Sequence, residues 1–241
     1  MVTSPTVPVE IISTPGQSQK KLRWFEVSLV MLVAFGGALL NSVDILEHGP
    51  RLTRQMSGGL GTFALVIHEA TTLLLVGYVL SRRGRRLSDL GLRWSLRDAG
   101  LGLVVAAISL LSFWLAAYAL RGLHLAIYGT QSTVNSPRAF FGHPSLLGAA
   151  ASVLLNPFFE ELIVRAYLMT EVLDLTGSAT LAVVLSVGVQ AVYHLYYGWW
   201  GAVAIAFQFL ICALYYVRWR RALPIIVAHG VSDLLGVIRL F

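Results

Sequence analysis

The chain has 241 residues, 56% of them hydrophobic and 12% charged, against about a quarter charged in an average soluble domain. Its mean hydropathy is +0.72. This composition excludes a disordered chain and an ordinary soluble enzyme, and a single cysteine, Cys212, excludes a disulfide-rich secreted scaffold. What remains is an all-α fold: a polytopic membrane helical bundle.

The uncharged stretches, measured against the roughly 20 apolar residues that a spanning helix requires, predict about seven transmembrane helices. Residues 1–22 begin with a Pro-, Ser-, Thr- and Gln-rich run and are expected to form a disordered cytoplasmic tail. Two N-terminal transmembrane helices are then expected within residues 23–87. The first, Val27 to Val43, reads as an uncleaved anchor because no small-residue cleavage site comes after it. The second, Gln55 to Ser81, is interrupted by His68 and Glu69. Ala99 to Leu120 makes a third span. A fourth begins at Ala139 and runs on past Glu160, Glu161 and Arg165 to Met169. From Leu175 to Val217 no formal charge occurs, and at 1.5 Å per residue that run would make about 65 Å of helix, twice the bilayer. It therefore predicts two helices with a turn near Gly198 to Gly201. Ala222 to Ile238 supplies the seventh.

The basic residues set the orientation. With the N-terminus inside, Lys20, Lys21, Arg23, Arg82, Arg83, Arg85, Arg86, Arg93, Arg97, Arg218, Arg220 and Arg221 fall on the inner side. Only Arg51, Arg54, Arg121, Arg138 and Arg239 fall on the outer. This is the positive-inside pattern, and it predicts a cytoplasmic N-terminus. The net charge of +6 then reads as anchoring to anionic lipid, with no nucleic-acid partner, because the arginines flank spans and form no soluble module.

Ionisable residues inside spans are costly, about 2.5 to 3.5 kcal/mol each at a helix centre, and so carry functional information. In Glu160-Glu161-Leu-Ile-Val-Arg165, the spacing puts Glu161 and Arg165 on one helix face, where they can pair. Glu160 is turned about 100° away and is free to address something else. Asn156-Pro157, just upstream, interrupts the backbone ladder, which in a membrane is tolerated beside protein or a wet cavity. His229 and Asp233 again share a face. His194 stands among Tyr193, Tyr196 and Tyr197. A carboxylate, two histidines and an aspartate on three helices make either a metal site or an acid/base centre with an oxyanion partner. His68 and Glu69 have four open readings: lining a cavity, pairing across helices, placing a break at the membrane surface, or a direct catalytic role.

At these residues the sequence resembles the CPBP intramembrane proteases, the CAAX-protease and bacteriocin-processing family also called Abi. The EExxxR motif is complete in Glu160, Glu161 and Arg165. The His-x-x-x-Asn/Asp motif is His229 and Asp233, within Leu-Pro-Ile-Ile-Val-Ala-His. The Phe-x-x-x-His motif has Gln190 in place of the aromatic, followed by His194. Asp89 to Arg93 is similar to a short run that precedes the core in bacterial members. The resemblance makes residues 88–241 the catalytic core, holding the third to seventh helices.

It implies an endopeptidase that cuts a membrane peptide or lipidated protein, as in CAAX-box processing, in a bacterial or archaeal plasma membrane. By matching position, Glu160 activates water with His194, while His229 and Asp233 stabilise the oxyanion. Arg165 and Glu161 fix the helix and tune charge. An anionic Asp233 would repel an oxyanion, so it is protonated, orients His229, or binds metal. Members are also described as metalloproteases, and Glu160, His194 and His229 would be the zinc set; the other description is a metal-independent glutamate protease, and no HExxH motif is present.

Two other functional classes compete: a non-catalytic scaffold or immunity protein that binds a peptide in the same cavity, and a proton-coupled transporter, which would favour two related halves where no repeat is visible. The shared site also carries a geometric demand. His194 lies about 25 Å along its span and His229 about 10 Å into its own from the same side, so they meet only if the fifth span starts low, tilts or breaks.

Overall fold

A computed structural model describes residues 16–48, 59–130 and 146–238. Every regular element among them is helical. α1 (Gln17–His48), α2 (Gly59–Ser81) and α3 (Leu96–Tyr128) are followed by one long helical run that changes character three times. That run comprises α4 (Leu146–Leu154), α5 (Asn156–Glu160), a π-helical segment (Glu161–Tyr167) and α6 (Leu168–Thr176). Then come α7 (Ala179–Tyr193), α8 (Trp199–Trp219) and α9 (Ala222–Ile238).

The predicted bundle of seven helical passes is present. Gln17–His48, Gly61–Ser81, Leu96–Tyr128, Leu146–Thr176 and Trp199–Trp219 are each long and apolar enough to cross a bilayer, and Ala179–Tyr193 and Ala222–Ile238 are shorter apolar helices. α3 illustrates why the solvent is hydrocarbon. Its inner face is small, with Gly102, Ala106 and Ser109 buried, and its outer face carries Leu111, Leu115 and Tyr118 well exposed. A helix apolar on both faces suits a membrane and not water. The chain is an integral membrane protein.

Three details differ from the sequence reading. α1 begins at Gln17, so residues 17–22 of the expected tail are helical; residues 1–15, like the outer-side Arg51, Arg54, Arg138 and Arg239, lie outside the described residues. The turn between the fifth and sixth passes comes earlier than Gly198 to Gly201. α7 ends at Tyr193, and a 3-10 turn over Leu195–Tyr197 leads to Gly198, whose φ of 80° starts α8. The arginines assigned to topology also hold the bundle together. Glu171 on α6 is fully buried and receives Arg23 of α1 at 2.9 Å and, from the segment ending α2, Arg83 at 2.6 Å and Arg85 at 3.3 Å. Asp174 adds Arg23 and Arg85, and Arg83 also pairs with Glu26. These contacts fasten the N-terminal pair of helices to the core, and they bring the start of α1 and the ends of α2 and α6 to one end of the bundle.

The same end is sealed by the segment between α2 and α3. The amide of Ala222 donates to the Gly91 carbonyl at 3.0 Å, and Tyr216 donates to the Leu90 carbonyl at 3.0 Å. Gly91 has φ 80°, and a Cβ there would lie 2.0 Å from the Arg220 carbonyl oxygen, so only glycine fits. At Gly102, a Cβ would meet Val227 at 2.5 Å and the Pro224 carbonyl at 2.9 Å; its absence lets α3 press against α9. The first turn of α9 is consequently buried, with Ala222 and Ile225 at zero exposure.

Candidate active site

Glu160 closes α5, where Pro157 sits in the first helical turn and so costs no backbone hydrogen bond. The π segment after it is buried at all seven residues. π turns inside helices are rare and occur often at functional sites. Adjacent carboxylates are thereby sent in different directions. Glu160 faces a cavity of about 460 Å³, whereas Glu161 and Arg165 are fully buried behind its wall.

Glu160 Oε2 accepts from Gln190 Nε2 at 2.8 Å and from the Tyr193 hydroxyl. It lies 3.8 Å from His229 Nε2. Oε1 takes none of these contacts. Glu161 accepts from His229 Nδ1 at 2.9 Å through Oε1 and faces Arg165 Nε at 3.4 Å through Oε2, so the pairing read from their spacing is present. Arg165 Nη1 donates to Gln190 Oε1. Gln190 thus joins Arg165 to Glu160 through the two ends of one amide.

Gln190, Tyr193 and His194 share one face of α7 by their i, i+3, i+4 spacing. His194 stands where that helix ends, with φ −94° and ψ 8°, in the sparsely populated bridge region. Its Nδ1 donates to the Gln190 carbonyl at 2.9 Å. A carbonyl only accepts, so Nδ1 carries the hydrogen, and the neutral ring keeps an acceptor at Nε2. The Phe209 ring on α8 packs 6.0 Å from His194, 4.8 Å from His229 and 4.5 Å from the Arg165 guanidinium. One aromatic ring therefore spaces three polar groups.

Asp233 Oδ1 lies 3.4 Å from His229 Nε2, and its Oδ2 accepts from Asn156 Nδ2 at 3.2 Å. Of the three options open for Asp233, this contact favours orienting His229. Glu160, His194, His229 and Asp233 all line the cavity, as do His68 and Glu69. His68 also pairs across helices, with the Ala34 carbonyl of α1 at 3.0 Å, so the structure supports cavity lining for both residues and cross-helix pairing for His68.

Three features meet the geometric demand. Glu160 lies seventeen residues before Gly177 and His194 seventeen after it, so the hairpin that turns at Gly177, φ 70°, brings them level. His229 comes within 3.8 Å of Glu160 from α9, whose first turn is buried. The fifth span also breaks at His194 itself.

Asn156, Gln190, Tyr193 and Phe209 join the site without having been singled out by their chemistry in the sequence. The i, i+3, i+4 face of α7 is a usable signal for Gln190 and Tyr193. Asn156 enters the sequence reading only as part of the Asn156-Pro157 break, and its side chain, like the Phe209 ring, is brought in by contacts across 77 residues and between helices.

Whether Glu160, His194 and His229 suit a metal can be judged from their donors. Glu160 Oε1 and His194 Nε2 keep acceptor capacity, but among the described residues no group of three or more His, Cys, Asp or Glu side chains is arranged to hold an ion. The arrangement does not fit the zinc set.

Apolar passes enclosing a cavity of carboxylates and imidazoles define a class: a polytopic membrane protein with a polar site inside the bundle. Comparison supplies the particular relationship. The family model described as type II CAAX prenyl endopeptidase Rce1-like matches residues 142–235. That stretch contains all three motifs, and it bears out the resemblance to the CPBP family; the Asp89 to Arg93 run lies outside it. The family is a protease family, which supports protease activity at that level. No curated protein and no solved structure matches.

Proposed function

We propose that the chain is an intramembrane endopeptidase that hydrolyses a peptide bond of a CaaX-like or bacteriocin-like membrane substrate by a glutamate mechanism. The observation that carries this reading is the position of Glu160: two donors fix Oε2, and Oε1 is left beside a cavity that His194 also lines. A water between Glu160 Oε1 and His194 Nε2 loses a proton to the carboxylate as its oxygen attacks the scissile carbonyl carbon. The same proton then passes to the leaving nitrogen. Positioned acid/base groups of this kind contribute roughly 10² to 10⁴ in rate.

The developing oxyanion needs donors placed in advance. His229 is suited to this role, because Glu161 fixes its Nδ1 edge and leaves Nε2 toward the cavity. Substrate must take over the contact that Asp233 makes with Nε2. Asn156, whose amide already reaches Asp233, is a second donor on that side. Arg165, between Glu161 and Gln190, keeps both carboxylates in register.

The N-terminus is cytoplasmic, by the positive-inside pattern, and the membrane is a bacterial or archaeal plasma membrane. The test is turnover of lipid-anchored CaaX-like and bacteriocin-leader-like peptides by the full chain in lipid nanodiscs, comparing the unaltered protein with Glu160→Gln. Cleavage that disappears with Glu160→Gln supports the reading. Cleavage that survives it removes Glu160 as the base, and a cellular phenotype that survives it argues for the peptide-binding scaffold.

A further inference from the structure

Among the described residues, the buried carboxylates obey a pattern with one departure. Glu161 has Arg165 and His229, Glu171 has three arginines, and Asp98 has Arg221. Glu69 on α2 is 1% exposed, and neither of its carboxylate oxygens has a hydrogen-bond partner among the described residues. It lines the cavity that also holds the carboxylates of Glu160 and Asp233. Among the described residues, no Lys or Arg lines this cavity.

An unpartnered carboxylate in a low-dielectric cavity is costly, and the cost is relieved by a charge-bearing or donating partner. Such a partner is present at Glu161, Glu171 and Asp98, and among the described residues none is present here. Glu160 and Asp233 already hold internal hydrogen bonds, so Glu69 has the most unused acceptor capacity in the cavity wall. We propose that Glu69 is a specificity-determining residue: it binds a basic side chain, lysine or arginine, of the peptide that occupies the cavity. This rests on the reading of the cavity as a peptide site and adds the charge of the preferred substrate.

The test measures binding separately from turnover. Full-length protein carrying Glu160→Gln, in lipid nanodiscs, is titrated with fluorescent lipid-anchored peptides identical except for one residue, which is lysine, norleucine or glutamine at each position in turn. At one position the lysine peptide should bind about tenfold more tightly than its norleucine partner, the size of one charge-assisted hydrogen bond. Adding Glu69→Gln should bring that ratio to about one, while Glu69→Asp, which keeps the charge, should retain a preference for lysine. The absence of a lysine preference at every position in protein that retains Glu69 overturns the proposal, as does a preference that persists in Glu69→Gln. Turnover by the unaltered protein is scored independently. Peptides that bind with the lysine preference but are never cut would sink the peptidase reading and leave Glu69 standing; cleavage indifferent to lysine does the reverse.

Discussion

Gln190 donates to Glu160 at 2.8 Å, and the other end of the same side-chain amide accepts from Arg165. A position that departs from the family's aromatic is thus the link between the proposed base and the buried cation. Gln190→Leu, close in volume, leaves Arg165 without that acceptor and Glu160 without one donor. Peptide turnover in nanodiscs should fall roughly tenfold to a hundredfold, the effect of losing a hydrogen bond to a charged group. The loss should appear in kcat more than in KM, because Gln190 touches Glu160 and not the cavity.

Tyr193→Phe removes only the hydroxyl that donates to Glu160 Oε2. Its ring, stacked on Phe35 at 4.5 Å, stays in place, so folding should be unaffected. Turnover about tenfold below that of the unaltered protein is expected; an unchanged rate would remove Tyr193 from the site.

At Asp233 the expected outcomes diverge by substituent. Asp233→Asn keeps a group that can hold His229 Nε2 and takes away a negative charge near the oxyanion, so activity should be retained or rise. Asp233→Ala frees His229 and Asn156 together, and a drop of roughly 10² is expected, comparable to losing an oxyanion donor. Equal losses in both variants would show that the negative charge itself is required.

Glu171→Ala strips three arginines of their shared, fully buried acceptor. Breaking a buried pair costs about 3 to 5 kcal/mol, and partial exposure of the arginines places this case at the lower end. A fall in Tm in detergent, with the activity per folded molecule preserved, is the expected result.

Turnover of the unaltered protein should be insensitive to a strong chelator, because in the proposed mechanism the Glu160 carboxylate is itself the base that activates water. Inhibition that added zinc reverses would restore the metal mechanism.

Much of the fold and the site is legible in the sequence, for identifiable reasons. The spans can be read because hydrocarbon penalises charge, and Glu160, Glu161, Arg165, His229 and Asp233 can be read because they defy that penalty. The turn at His194 is harder to place because Tyr-Tyr-Gly-Trp-Trp-Gly carries no charge and offers two glycines, of which only the first, Gly198, is used with positive φ. The ion pairs on Glu171 escape a sequence reading because Arg23, Arg83 and Arg85 look complete as topology signals. What Gln190 does is hidden because a departure from a motif says what is absent and not what has taken its place.

The π segment between Glu161 and Tyr167 has a consequence for the whole helix that contains it. By closing on i→i+5 bonds, it changes the angular phase between the turns on its N-terminal side and those on its C-terminal side, so one continuous rod presents Glu160 to the cavity and Glu171 to the arginine cluster. Deleting a single residue there would turn everything beyond it by about 100°, and site and anchor could not both engage. The number of residues between those two glutamates is therefore a gear ratio, and a change of count should be tolerated far less well than a change of side chain.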